Sequence, residues 1–159
     1  MVDKVRTGDT EWSEYESKGN DFVPMEEWGR DHWSTLLYLE TCAVDHGGNV
    51  DNRRMRCNPR LHRGFAAFVN GMIMDGSKYP TKLRVGERGN HDDWSCVEDF
   101  VKAGLVKAYF SVNDEAGIFG NLSSLVRFTL LGLDVVYELR RHKAMGGTIG
   151  SFVCSMEGR

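Results

Sequence analysis

The chain has 159 residues, of which 41% are hydrophobic and 27% are charged, and its formal net charge at pH 7 is −3. A chain of this length can bury a core without disulfides, so we expect one globular domain. The polar first residues do not resemble a secretory signal, and the short apolar runs exclude a membrane span. We therefore expect a cytoplasmic protein with no membrane partner, whose cysteines are free thiols or metal ligands.

Charge is distributed unevenly along the chain. Residues 9–51 carry eleven acidic and two basic side chains, whereas residues 53–88 carry nine basic and two acidic ones. Either the acidic part packs near the basic part within the molecule, or the basic part offers a surface to a polyanion. The isoelectric point near 5.9 favours the intramolecular alternative.

The first long helix is predicted over residues 25–44, after a polar and partly flexible lead-in at residues 1–22. One apolar stripe recurs there at helical spacing: Trp33, Leu36, Leu37, Glu40 and Val44. Glu40 is the exception on this stripe, because a carboxylate in an apolar setting needs a partner. That partner is either an arginine from residues 53–63, or Glu40 acts as a ligand or general base.

The middle of the chain is predicted to be mostly loop. Residues 46–64 combine glycines with five arginines and read as an arginine-rich loop. The apolar residues 64–74 favour a short helix, and a brief strand is expected near residues 82–85.

The clearest helix is predicted over residues 92–106. Asp92 or Asp93 can cap its N-terminus, since a side-chain oxygen there accepts from a free backbone N–H. Gly104 stands where a left-handed residue ends a helix. Two strands are then expected, over residues 107–112 and 123–130.

A last helix is predicted over residues 130–143, with Thr129 as its N-cap. Its basic end suits the helix dipole. Residues 146–159 are glycine-rich and are expected to form a loose tail, so the domain itself would span residues 23–145. Three residues of the last helix are expected to face inward: Leu133, Val136 and Leu139.

The segments CVEDFVKAGLVKAYF and VRFTLLGLDVVYELRRHK resemble the end of a winged-helix domain of the MarR or PadR kind, over about residues 92–143. In such domains a helix ends in a Gly-Leu-Val turn, two wing strands follow, and a threonine-capped helix comes next. The resemblance implies an α+β, mostly helical, winged-helix-like fold with a two-stranded wing and an N-terminal long helix. Winged helices also serve as protein-interaction modules and many pair through terminal helices, so it implies a protein partner or a homodimer as well.

The resemblance would make residues 92–104 the recognition helix, and here the sequence departs from a DNA reader. Four acidic residues stand on this helix against Lys102 alone, namely Asp92, Asp93, Glu98 and Asp99. Acidic side chains on that face would repel phosphates.

A metal site is predicted from two pairs of soft ligands. Cys42 and His46 are four residues apart, and Cys57 and His62 are five apart. Each pair can reach one ion, and together they would complete a tetrahedral zinc shell that closes the loop. The alternative is a buried Cys42, an exposed Cys57 and two surface histidines.

A second cluster joins His91, Asp92 and Asp93 with Cys96. Such a group can hold a divalent ion or assist a hydrolytic water, with Glu40 nearby, which would make the chain a metal-dependent hydrolase. The alternative is that the aspartates cap a helix. The chain has no phosphate-binding loop, nucleophile elbow or zinc-protease motif, so an enzyme is the less favoured function.

The favoured function is a regulatory or binding module of winged-helix type that engages nucleic acid through residues 53–88. Arginine binds phosphate in a bidentate manner, and such binding depends strongly on salt. The alternative is a protein-interaction or assembly factor on the same fold. The predicted nucleic-acid contacts are Arg53, Arg54, Arg56, Arg60, Arg63, Lys82, Arg84 and Arg88.

Overall fold

A computed structural model describes residues 4–7, 10–15, 22–51, 54–56, 80–89, 91–112 and 122–154. Among these residues, no helix combines the length and the apolarity that crossing a bilayer requires. The helix predicted at residues 64–74 lies outside the described residues. So do five predicted site residues: Arg53, Cys57, Arg60, His62 and Arg63.

The described residues form an α+β fold with three α-helices, which confirms the α+β part of the predicted fold. The helices are α1 (Arg30–Asp45), α2 (Asp93–Lys102) and α3 (Leu130–Ala144). The strands are β1 (Lys4–Thr7), β2 (Thr10–Glu14), β3 (Asn49–Val50), β4 (Thr81–Lys82), β5 (Glu87–Arg88), β6 (Val106–Val112) and β7 (Leu122–Phe128).

Five strands form one antiparallel sheet in the order β1-β2-β6-β7-β3, and β4 pairs with β5 in a separate hairpin. The two strands expected in the C-terminal third are confirmed as β6 and β7, which pair from Val106↔Phe128 to Val112↔Leu122. They do not stand free, because β2 and β3 pair with their outer edges. The core lies between the helices and this sheet.

The start of the chain differs from the expected flexible lead-in. β1 and β2 form a hairpin, and β2 continues the sheet by pairing Ser13 with Phe110. Trp12 is buried in a small cluster with Tyr109 and Leu125. One large aromatic side chain and the backbone pairing with β6 together stabilise this polar segment in the sheet.

Helix α1 begins at Arg30 rather than at residue 25. Met25–Glu27 form a single 3₁₀ turn, and Gly29 takes the extended N-cap position. A Cβ on Gly29 would overlap the backbone carbonyl carbon of Leu83, so the close approach of these two segments requires glycine here. The β-bridge between Trp28 and Leu83 fixes that approach.

The buried faces of two helices differ from their predicted stripes. Val44 is 75% exposed, and α1 instead buries a stripe through His32, Leu39 and Cys42 beside the expected Trp33 and Leu36. In α3, Leu133 is 48% exposed, while Val136 and Leu139 face inward as expected. Short apolar runs are compatible with more than one helical face, and packing against neighbouring elements decides between them.

The predicted helix caps and the predicted left-handed glycine are confirmed. Asp92 caps α2 by accepting from the Ser95 backbone N–H (3.0 Å), and Gly104 has a φ of 81° after the helix. Thr129 caps α3 by accepting from the Gly132 backbone N–H.

Residues 148–154 pack back on the domain, whereas a loose tail was expected. Phe152 is buried with its ring centroid 4.8 Å from that of Trp33, and Cys154 is buried as well. A capping box between Thr148 and Ser151 holds the turn that leads into this contact. The aromatic contact therefore orders a segment that its glycines alone would leave mobile.

Candidate metal centre

Four side chains meet where α1 packs against α2. His32 stands in the first turn of α1, His91 precedes the N-cap of α2, and Cys96 and Asp99 lie one turn apart within α2. All four are buried, with exposed fractions of 0% for His32 and Cys96, 4% for His91 and 2% for Asp99. Buried polar side chains of this kind must find partners among themselves.

Asp99 is the centre of the hydrogen-bond network. Its Oδ2 atom lies 2.7 Å from His32 Nε2 and 2.8 Å from His91 Nε2, and its Oδ1 atom accepts from the Val23 backbone N–H at 3.1 Å. A carboxylate only accepts, so both imidazoles donate through Nε2–H. Asp99 thus connects α1, α2 and the segment before the 3₁₀ turn.

A ligand atom from each of His32, His91 and Cys96 lies within 4.8 Å of the others, so this group can hold a metal ion. His32 Nδ1 is buried without a hydrogen-bond partner among the described residues. A buried acceptor without a partner destabilises the fold by about 1–3 kcal/mol, unless something else occupies it.

The protonation states of the cluster follow from burial and from its own hydrogen bonds. Burial lowers the pKa of His32 despite the hydrogen bond to Asp99, so its imidazole is neutral at pH 7. Burial alone would raise the pKa of Asp99, but the hydrogen bonds from His32 and His91 outweigh it and lower that pKa. Burial and the nearby carboxylates, Asp99 first, raise the pKa of the Cys96 thiol well above its usual value.

Aromatic rings hold His32 in place. The Trp28 ring stacks on the His32 ring with centroids 5.1 Å apart and an interplanar angle of 6°, and Phe100 meets His32 edge-on. Trp28 Nε1 donates to the Val23 carbonyl at 2.8 Å. Asp99 also lines a cavity of about 360 Å³, together with residues 22–26, Lys102 and Ala103.

The predicted catalytic residues are only partly brought together. His91 joins the buried cluster, whereas Asp92 is the N-cap of α2. Asp93 accepts from the Arg56 backbone N–H at 2.6 Å, and burial raises its pKa despite the nearby Arg56. Glu40 pairs with Arg140 of α3, whereas its expected partner was an arginine of residues 53–63, of which Arg54 and Arg56 are described.

The predicted zinc ligands lie elsewhere as far as they are described. Cys42 is buried on α1, and His46 is exposed at its C-cap. Their predicted partners Cys57 and His62 lie outside the described residues, so that four-ligand shell stays a prediction.

Sequence reasoning placed His91 and Cys96 in one cluster but missed His32 and Asp99. The spacing from Cys96 to Asp99, one helical turn, was the available signal for Asp99. Nothing near His32 in the sequence indicates that it contacts Asp99, which lies 67 residues further along the chain.

Two described parts of the basic segment 53–88 meet at the start of α1. The Arg56 guanidinium lies 3.4 Å from Asp31 Oδ2, and the Lys82 backbone N–H donates to the same oxygen at 2.7 Å. Arg84 Nε donates to the Glu26 carbonyl at 2.9 Å. Acidic residues before position 51 therefore do pack near basic ones, as the intramolecular alternative expects, although Arg54, Lys82 and Arg84 remain exposed.

Comparison of the chain with protein-family models, with curated proteins and with solved structures gave no match.

Proposed function

We propose that the chain is a zinc-stabilised binding module, in which His32, His91 and Cys96 bind one zinc ion between α1 and α2. The observation that carries this proposal is the convergence of three buried metal-binding side chains within 4.8 Å. His32 Nδ1 is buried without a hydrogen-bond partner among the described residues, and a metal ion would satisfy that atom.

The donor set favours zinc over harder ions. Two imidazoles and one thiolate suit a borderline-soft ion, whereas magnesium and calcium prefer carboxylates, carbonyls and water. The neutral His32 imidazole is already in the state that a ligand needs. The Cys96 thiol is not, so zinc must displace its proton, and binding should weaken as the pH falls.

Asp99 acts in this proposal as the orienting partner of the two imidazoles. Histidine ligands commonly donate their second ring N–H to a carboxylate, which fixes the tautomer and strengthens the ligand. The contact of Asp99 with His32 Nε2 leaves His32 Nδ1 as the free lone pair, and that atom is the one without a partner.

The same arrangement supports a structural role rather than hydrolysis. The ligands come from two packed helices and are almost fully buried, so the ion would hold the helices together. Three carboxylates near the cluster already have structural partners: Asp92 in the helix cap, Asp93 with Arg56, and Asp99 with both histidines. These three side chains therefore hold the fold together in this proposal.

Thermal unfolding with zinc or with a chelator tests this proposal. Zinc at about a thousand times its dissociation constant adds about 4 kcal/mol of stability, which corresponds to a rise in Tm of roughly 10 °C. Cys96→Val should lose this response, whereas Cys42→Val should keep it, because Cys42 is an equally buried cysteine outside the cluster. An unchanged Tm in the unsubstituted chain would contradict the proposal.

We further propose that residues 93–144 form a winged-helix-like unit. The order α2, β6, β7 and α3, the left-handed Gly104 and the Thr129 cap support this proposal. In this proposal β2 and β3, which pair with the outer edges of β6 and β7, are additions to the unit.

We also propose that the module engages nucleic acid through the basic segment 53–88. The supporting observation is that Asp31 contacts both Arg56 and the Lys82 backbone, so two described parts of this segment meet at the start of α1, where Lys82 and Arg84 are exposed. The double variant Arg54→Ala/Lys82→Ala should weaken binding and lower the salt slope by about 2, one for each lost phosphate contact. The exposed pair Lys107→Ala/Lys143→Ala is the matched control, and equal losses in both variants would argue against a dedicated surface.

A further inference from the structure

An apolar cavity lies between the segment that precedes α1 and the end of α2. Its volume is about 360 Å³, and most of the described residues that line it are apolar, namely Phe22, Val23, Pro24, Met25 and Ala103. Binding sites for small molecules have volumes of about 300–1,000 Å³ and combine an apolar lining with a few polar groups. This cavity therefore has the size and the lining of a site for a small ligand.

Hydrogen bonds hold one wall of this cavity in place. The Val23 backbone N–H donates to Asp99 Oδ1 at 3.1 Å, and the Val23 carbonyl accepts from Trp28 Nε1 at 2.8 Å. The Pro24 carbonyl accepts from the Glu27 backbone N–H at 2.9 Å. A wall that is already ordered loses little conformational freedom when a ligand binds, so even a small ligand can bind there.

Two charged side chains of the cavity remain available to a ligand. Both oxygens of the Asp99 carboxylate already accept hydrogen bonds within the fold. Within the described parts of the chain, by contrast, the exposed Glu26 carboxylate makes no hydrogen bond or ion pair. The exposed Lys102 ammonium lies 5.4 Å from the centroid of the Phe22 ring, and no described acidic residue pairs with it. One negative and one positive charge therefore line an apolar cavity without a counter-ion from the described residues.

We propose that this cavity binds an apolar α-amino acid. The ammonium of the ligand pairs with Glu26, its carboxylate pairs with Lys102, and its side chain packs against the apolar lining. A ligand that carries both charges matches both side chains, whereas a simple acid or a simple amine leaves one of them without a counter-ion. The site depends neither on the proposed zinc ion nor on nucleic-acid binding, because Glu26 and Lys102 take no part in those proposals.

Isothermal titration calorimetry of the purified chain with L-leucine and with L-phenylalanine tests the site. We expect a dissociation constant below about 1 mM for at least one of them. Two analogues of leucine each lack one charge: L-leucinamide has no carboxylate, and 4-methylpentanoate has no ammonium. Each should bind about fivefold more weakly than leucine, because it pairs with only one of the two charges. Glycine has both charges but no apolar side chain and should bind at least about tenfold more weakly.

Variants and analogues together assign each charge. Glu26→Gln should weaken the binding of leucine but not of 4-methylpentanoate, and Lys102→Met should weaken the binding of leucine but not of leucinamide. The matched controls are Glu27→Gln and Lys107→Met, which change exposed residues outside the cavity lining and should leave binding unchanged. Circular dichroism checks that these variants stay folded, as exposed substitutions should. Absence of binding for both amino acids up to about 10 mM, or unchanged binding of leucine in both cavity variants, would overturn the proposal.

Discussion

Removal of the Asp99 carboxylate should be the most destabilising single change in the buried cluster. Asp99→Ala removes the acceptor for His32 Nε2, His91 Nε2 and the Val23 backbone N–H, at 2.7, 2.8 and 3.1 Å. Each buried donor without a partner costs about 1–3 kcal/mol, and neighbouring losses are not additive. We therefore expect the free energy of unfolding to fall by about 3–5 kcal/mol.

Urea unfolding in the presence of a chelator measures this effect without a contribution from metal. Asp45→Ala is the matched control, since Asp45 is exposed at the end of α1 and should change stability by no more than about 0.5 kcal/mol. The pKa of Asp99 is lowered in the folded state, so its contribution is present above the usual carboxyl pKa and is lost as the pH falls through the folded value. A loss below about 1 kcal/mol at pH 7 would refute the view that Asp99 holds the elements together.

Three further outcomes follow from other features of the structure. Burial raises the pKa of Glu98 to about 7 despite a hydrogen bond from Tyr15, so ionised Glu98 destabilises the fold at high pH. Urea unfolding should therefore show that Glu98→Gln stabilises the chain by up to about 3 kcal/mol at pH 8 and by little at pH 5. An equal effect at the two pH values would contradict this. Gly132→Ala should lower Tm strongly, because a Cβ there would overlap the backbone carbonyl group of Leu105, whereas Gly150→Ala has room and should be neutral. Zinc binding should release about one proton, from the Cys96 thiol, as calorimetry in buffers of different ionisation enthalpy would show; release of none would mean that Cys96 is not a ligand.

The parts of the fold that depend on local chemistry could be predicted from the sequence. The Asp92 and Thr129 caps, the left-handed Gly104 and the helix–strand–strand–helix order of the C-terminal third each require only a few adjacent residues. A cap or a positive φ is decided by the residue itself and its nearest backbone groups, so distant packing rarely overrides it.

The parts that depend on long-range packing could not be predicted in the same way. The N-terminal hairpin joins the sheet through pairing with β6, about a hundred residues further along the chain. The cluster required the buried face of α1 to pass through His32, and an apolar pattern with several compatible faces does not determine that. Once the face is fixed, His32 meets Asp99 and joins His91 and Cys96 in the group that can hold a metal ion.

The zinc content of the purified, untagged protein, determined by mass spectrometry, tests the central claim most directly. We predict about one zinc ion per chain, lost in Cys96→Val and retained in Cys42→Val and Cys57→Ala. Zinc retained in Cys96→Val but lost in Cys57→Ala would instead place the ion on the four ligands predicted from the sequence, Cys42, His46, Cys57 and His62. A protein that binds no zinc after dialysis against it would contradict the metal centre, and Asp99 would then serve only as the hydrogen-bond partner of two buried histidines.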